Sequence, residues 1–343
     1  MLKVVESNQL DFDFFSIFSL LNLRCNEQIM HCMKKVLVLF FVLLSGLAKA
    51  QQDPQFSLNM FNIYSVNPAF SGSYDQFNAL AIHRSQWVGF DNGAPTTQHV
   101  SVEAPVYFLH GGAGISLLND KIGNDYTRGV SFSYAYQTKL SKKSELGIGL
   151  NIGFIDVGVE GEWLAPDGTA GGGDPLIPAS GENDVVPDLG LGLYYRMKEF
   201  YIGYSVTHLN EPTAIYSDNS RTFNFKKHHY LTLGWKNEVN SELVLRPSMH
   251  VKTDQVSTQI DFNLNASYGE HLWGGITYRL DDAVVLITGY NINKNLKFGY
   301  AYDITISDLK SESSGSHEIL LRYSFKMHPR GKIPTHYRNI RYN

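Results

Sequence analysis

From residue 76 to residue 326 the chain alternates apolar side chains with small or polar ones, in stretches of about ten residues. The clearest stretch carries Val130, Phe132, Tyr134 and Tyr136 on one face and Gly129, Ser131, Ser133, Ala135 and Gln137 on the other. Successive side chains on a strand point to opposite faces, so this period predicts strands with one greasy face. We place them at 76–87, 98–106, 111–119, 127–139, 144–157, 187–197, 199–208, 228–237, 241–253, 256–267, 271–279, 283–291, 295–304 and 316–326. Little helical sequence separates them. In lipid every backbone N–H and C=O must be paired within the protein, so only helices or closed barrels span. No run after residue 50 is long enough for a spanning helix. The expected fold is all-β: a transmembrane antiparallel β-barrel of about 14 strands over residues 76–326.

The connections test this independently. Outer-membrane barrels pair short periplasmic turns with longer outside loops. The three longest connections, 158–186, 209–227 and 305–315, are all odd-numbered. The even-numbered ones are short, among them Ser141-Lys142-Lys143 and Tyr268-Gly269-Glu270. Two odd-numbered connections, near Thr253–Gln255 and Leu280–Asp282, are also short, so part of the outer rim is expected to be low. The last stretch carries Ile319, Leu321, Tyr323 and Phe325 on one face.

Ahead of the strands, Met33-Lys34-Lys35, the apolar run Val36–Leu47 and the small-x-small Ala48-Lys49-Ala50 predict a signal peptide over 33–50, with the mature chain starting at Gln51. Residues 1–32 do not fit a signal peptide and read as upstream sequence from a mis-assigned start. Residues 51–75 carry Phe56, Met60, Phe61, Ile63 and Tyr64 without a strand period, too apolar to hang free in water. We expect this non-strand periplasmic segment to fold back into the barrel mouth or lumen as a plug. Residues 327–343 form a tail with Arg330, Lys332, Arg338 and Arg341 and no acid, a basic periplasmic end for a partner or an anionic lipid.

Composition narrows the chemistry. Both cysteines, Cys25 and Cys32, lie in the excluded part, so the mature chain holds no disulfide and no thiolate metal site. Without residues 1–50 it has 24 basic and 29 acidic residues, which argues against a nucleic-acid partner. The 20 Tyr and 20 Phe suit interfacial girdles. Gly147-Ile148-Gly149-Leu150-Asn151-Ile152-Gly153 lacks a βαβ context and reads as small lumen-facing positions in a strand, not a nucleotide loop. Gly171-Gly172-Gly173-Asp174 lacks the Lys-Ser or Lys-Thr of a phosphate cradle. His228 and His229 are adjacent and point to opposite faces; His83, His99, His208, His250 and His271 are scattered. No metal, cofactor or catalytic set is expected from them. Trp87, Trp235 and Trp273 are read as interfacial anchors. Trp163, beside Leu164, Leu176 and Ile177, is read as loop packing or a docking surface.

Asp53-Pro54-Gln55-Phe56-Ser57-Leu58-Asn59-Met60-Phe61-Asn62, Asn67-Pro68-Ala69-Phe70-Ser71-Gly72 and Arg84-Ser85-Gln86-Trp87-Val88-Gly89-Phe90, followed by Gly93-Ala94-Pro95, closely resemble the PorP/SprF family of outer-membrane proteins of the type IX secretion system in Bacteroidota. The likeness continues through Asn119–Gly123, Pro187–Gly192 and Gly315–Ile319. It implies a non-enzymatic role without cofactor, in gliding motility or protein secretion. The implied partners are the system's periplasmic ring proteins, and a large secreted, adhesin-like protein bearing a C-terminal sorting domain. It makes Asp53, Pro54, Phe56, Met60, Asn67, Pro68 and Trp87 residues expected to contact a partner or hold the plug, and Trp163 joins them as a candidate partner contact from its own loop. Two other readings stay open: a transport barrel for a hydrophobic or small solute, and a barrel hydrolase with a Ser/His or Asp/His set at the rim.

Overall fold

The computed structural model describes residues 53–90, 93–160, 181–216 and 222–327. The expected upstream segment 1–32, the signal peptide 33–50, Trp163, Gly171–Asp174 and the basic residues of the tail lie outside the described residues.

Alternation becomes strands in the expected order. These are β1 (Gln76–Ser85), β2 (Thr96–Val106), β3 (Gly111–Ile122), β4 (Asp125–Lys139), β5 (Ser144–Val159), β6 (Glu182–Met197), β7 (Phe200–Thr207), β8 (Thr213–Ile215), β9 (Thr222–Asn224), β10 (His228–Trp235), β11 (Asn237–Glu238), β12 (Leu243–Thr253), β13 (Thr258–Tyr268), β14 (Leu272–Arg279), β15 (Ala283–Asn291), β16 (Leu296–Thr305) and β17 (Ser316–Lys326). β8 and β9 form a separate hairpin, and β11 prolongs the β10 edge along β12. The other fourteen strands pair in sequence, each antiparallel to the next, and β1 pairs with β17 from Gln76↔Lys326 to Ser85↔His317. The barrel is closed, which leaves no sheet edge in lipid.

The two faces separate as the alternation requires. Phe132, Tyr134 and Tyr136 on β4 point outward and are exposed, while Ser133 and Ala135 are buried inside. Ile319, Leu321, Tyr323 and Phe325 likewise face out. Outward Tyr136, Trp235, Tyr268, Tyr290, Phe298 and Phe325 all sit at the strand ends joined by short turns, an aromatic girdle at one interface.

The structure moves several boundaries. β6 begins at Glu182, five residues before the expected 187, and β5 runs on to Val159 to meet it. Asp156–Val159 pair with Val185–Glu182. This extension carries Asp, Asn and Glu, and its polar sequence masked the strand period. β3 and β4 meet at Gly123-Asn124, where Gly123 has φ +61°, so this odd connection is a tight turn rather than the expected gap of 120–126. The expected loop 209–227 contains the β8–β9 hairpin, whose strands are too short to show a period. Ala214 from that hairpin and Phe225 just beyond it pack against Ile155 and Val157 of β5 and Val186 of β6, a small core under the long-loop end.

Residues 53–75 occupy the lumen. Pro68 opens a 3₁₀ turn, Pro68–Phe70, capped by the Asn67 side chain, which accepts from the Ala69 amide at 3.0 Å. Three further single turns lie at Asn59–Phe61, Ile63–Ser65 and Ser73–Asp75. The density of Asn and Ser explains why these stay short, since such side chains compete for backbone groups. Asp53 lies beside Thr207 and His208, at the long-loop end. Gly72 lies beside Glu103, toward the short-turn end. Of the two expected places, the mouth and the lumen, the segment takes the lumen and threads most of the barrel's length. A lumen this wide must be filled by something, and here the chain's own first segment fills it.

The wall is thinned where the segment presses on it. A Cβ on Gly149 would stand 2.2 Å from the Ala69 amide nitrogen. Gly147 and Gly149 of β5 are thus a seat for the plug at Ala69. Gly149→Val should displace it at a cost on the order of 1–3 kcal/mol. The check is limited proteolysis in detergent: cleavage should appear within 53–75 while the barrel keeps its compact mobility on an unheated gel. Unchanged protection would contradict the seat.

Candidate functional site

The interior chemistry is a set of anchors between the segment and the wall. In the long-loop half, Arg84 (β1) and Arg279 (β14) face Asp261 (β13), Asp303 (β16) and Glu318 (β17). All five are buried. Arg84 reaches Asp303 at 2.8 Å and Glu318 at 3.2 Å; Arg279 reaches Asp303 at 3.0 Å and Asp261 at 3.1 Å. The segment enters this network at Ser57 and Leu58. Their backbone amides donate to Glu318 at 2.7 and 2.9 Å, and the Ser57 hydroxyl donates to Asp303 and accepts from Arg84 at 2.8 Å. Asn59 and Gln55 donate to Asp261. Buried charges persist only when paired and hydrogen-bonded, and five strands and the segment share that duty here.

In the short-turn half, Glu103 (β2) accepts from the Gly72 amide at 2.7 Å and from Asn78 at 2.6 Å, and Arg322 donates to Asn78 at 2.7 Å. Between the two anchors, Tyr64 and Ser71 both meet Ser133, and Gln137 donates to the carbonyls of Ala69 and Ser71.

At the top of the segment, Asp53 meets a third group. One carboxylate oxygen is 2.7 Å from His208 Nε2. The other accepts from Tyr230 at 2.5 Å and Thr207 at 3.1 Å. Lys252 donates to the Asp53 carbonyl at 2.8 Å. His208 Nδ1 is held by Asp188 at 2.8 Å. Burial alone would push the His208 imidazole down, but the Asp53 and Asp188 carboxylates outweigh it and hold it up at about 10. Asp53, Pro54, Asp188 and His208 border a lumen cavity of about 120 Å³, with Ser131 and Asn151 on its far wall.

The residues singled out from sequence are distributed unevenly. Asp53, Pro54, Phe56, Met60, Asn67 and Pro68 all lie on the lumen segment. Phe56 packs with Leu58, Leu80 and Leu320, and Met60 lies against the same cluster. Asn67 is buried and donates to the Leu193 carbonyl. Trp87 stands apart at the end of β1 with φ +51°, its amide donating to Ser316. Trp235 is exposed beside Phe200 in the girdle. Trp273 is no interfacial anchor: it points inward, 4.5 Å from Phe61 and against Gly289 and Gly299. The buried Arg84–Asp303–Arg279 network went unnoticed in the sequence, although charged residues at inward positions of otherwise apolar strands were its signal. The scattered histidines are not all separate, since His208 and His228 meet across Asp53.

Comparison with known proteins places this architecture. The model of a family described as type IX secretion system membrane protein PorP/SprF matches residues 48–323. No curated protein sequence matches the chain. Among solved structures, the CymD monoaromatic hydrocarbon channel aligns at TM-score 0.44 and 13% identity, over 80% of this chain and 93% of that one. The P. putida toluene transporter TodX aligns at 0.41 and 11%, over 77% and 93%. Omp33 of Acinetobacter baumannii aligns at 0.41 and 8%, over 74% and 99%. Likenesses this distant say nothing of what this barrel does.

Proposed function

We propose, from the premise that this chain belongs to the type IX secretion system membrane protein PorP/SprF family, that it serves as a plugged docking barrel rather than as a conduit. Family membership makes it a membrane component of type IX secretion, and the closed fourteen-stranded barrel is of the outer-membrane kind. The reading goes further: it supports export or surface anchoring of a secreted, adhesin-like partner with a C-terminal sorting domain, in contact with the periplasmic ring proteins, and it performs no catalysis. The observation that carries it is the filled lumen, pinned at both ends by buried carboxylates. A barrel so filled offers its rims to partners.

The segments are assigned accordingly. Residues 33–50 are the signal for export, and 327–343 are a basic tail on the periplasmic side. Asp53, Pro54, Phe56, Met60, Asn67 and Pro68 hold the plug, while Trp87, at the rim carrying the long connections, and Trp163 are offered to a partner.

The test is capture of the detergent-solubilised native protein through a tag within 161–180, followed by mass spectrometry. Recovery of a large secreted protein with a sorting domain, or of ring components, is the expected result. Recovery of neither, with a bound lipid or small solute instead, would overturn the docking role in favour of transport.

A further inference from the structure

The Asp53 cluster has a feature that plug anchoring does not use. A carboxylate oxygen of Asp53 and one ring nitrogen from each of His208 and His228 lie within 4.8 Å of one another. The three come from the lumen segment, from the residue after β7 and from the first residue of β10. Each ring makes a further contact through its Nδ1, and Nδ1 of His228 also lies 3.8 Å from the Asp53 carboxylate. His208 Nδ1 faces Asp188 at 2.8 Å, and His228 Nδ1 lies 3.0 Å from the Lys226 carbonyl. A carbonyl only accepts, so Nδ1 of His228 carries the proton and Nε2 presents a lone pair. Among the described residues, the donor that reaches that lone pair is the Asp53 amide, at a long 3.4 Å. His228 is buried, so this acceptor is poorly used.

We propose that Asp53, His208 and His228 form a site for a single divalent transition-metal ion of the zinc type, which clamps the start of the lumen segment to the barrel wall. The donor set chooses the class. Two imidazoles and a carboxylate suit zinc and its neighbours, whereas calcium and magnesium take oxygen ligands. Asp188 behind His208 is the carboxylate that orients and strengthens a metal-binding imidazole. The adjoining cavity leaves room for a water as fourth ligand. Binding replaces the proton on His208 Nε2 with the ion. The cation facing the site is Lys252, which is directed to the Asp53 carbonyl rather than to its carboxylate.

The test uses the full chain without a polyhistidine tag, stripped with chelator in detergent. Zinc alone is titrated by calorimetry, and cobalt alone by its visible spectrum. One ion per chain is expected, with a tetrahedral cobalt spectrum. Asp188→Asn should weaken zinc binding by roughly 10–100-fold. The double variant His228→Gln with His208→Gln should abolish it while keeping the compact mobility of a folded barrel. Undiminished binding by the double variant, or no binding by the unsubstituted chain, overturns the proposal. If the double variant does not fold, X-ray absorption of the zinc-loaded unsubstituted chain decides: two imidazoles in the coordination shell support the site, and an oxygen-only shell overturns it.

Discussion

Arg84→Met should destabilise the folded barrel by about 3–5 kcal/mol, the usual cost of removing one member of a buried ion network. Among the described residues Arg84 is the only cation in contact with Glu318, and it shares Asp303 with Arg279. Without it Glu318 keeps only the amides of Ser57 and Leu58, and Asp303 keeps Arg279 and the Ser57 hydroxyl. Arg84→Lys should fall between, because an ammonium restores the charge but not the fork that spans Asp303 and Glu318. The contrast is Lys121–Glu160, a 2.6 Å pair with both side chains more than 40% exposed. Lys121→Ala should cost at most about 1 kcal/mol. Urea unfolding followed by tryptophan fluorescence in detergent reads all three. Equal midpoints for Arg84→Met and Lys121→Ala would show that the network contributes nothing beyond an ordinary surface pair.

Deleting residues 53–74 should turn a quiet barrel into a conducting one. In planar bilayers the intact protein is expected to show only background leak, and the deletion a steady ion current. Among the described residues this segment is what fills the lumen between β1, β5, β10 and β14. Leu58 and Ala69 are fully buried against that wall. Losing Leu58 alone forfeits roughly 1.5–3 kcal/mol of burial, so the deleted form should also unfold earlier. A deletion that inserts as a compact barrel yet stays silent would mean that the remaining lumen side chains close the path by themselves, and the plug would lose its role.

How much of this was legible in the sequence follows from how local each signal is. Lipid on one side and a filled lumen on the other impose a period of two, which marked β4, β12 and β17 to within a residue or two. Where the sheet rises past the bilayer that pressure ends. Glu182, Asn183 and Asp184 at the top of β6 are partly or fully exposed and carry no period, although the backbone ladder continues through them. Trp273 misled because tryptophan near a strand end suggests an interface. Its inward direction depends on Gly289 and Gly299, side by side on the next two strands, leaving room for its ring, a fact of neighbouring strands and not of its own. The apolar content of 56–64 did announce a buried segment, but not its path. The meeting of Asp53, His208 and His228 spans more than 150 residues of chain. No spacing rule reaches that far: β7 and β10 pair directly, His228 opposite Thr207, but only the threaded lumen segment carries Asp53 to them.

The seam between β1 and β17 carries a consequence for assembly. Arg84 lies on one seam strand and Glu318 on the other, and both grip Ser57. Zipping the seam and seating the plug are therefore one cooperative event. A barrel that closed empty would trap a guanidinium and a carboxylate without the amides and hydroxyl that complete their shell. A sideways opening at this seam would have to release the plug in the same motion. The join between first and last strands is here stitched from within.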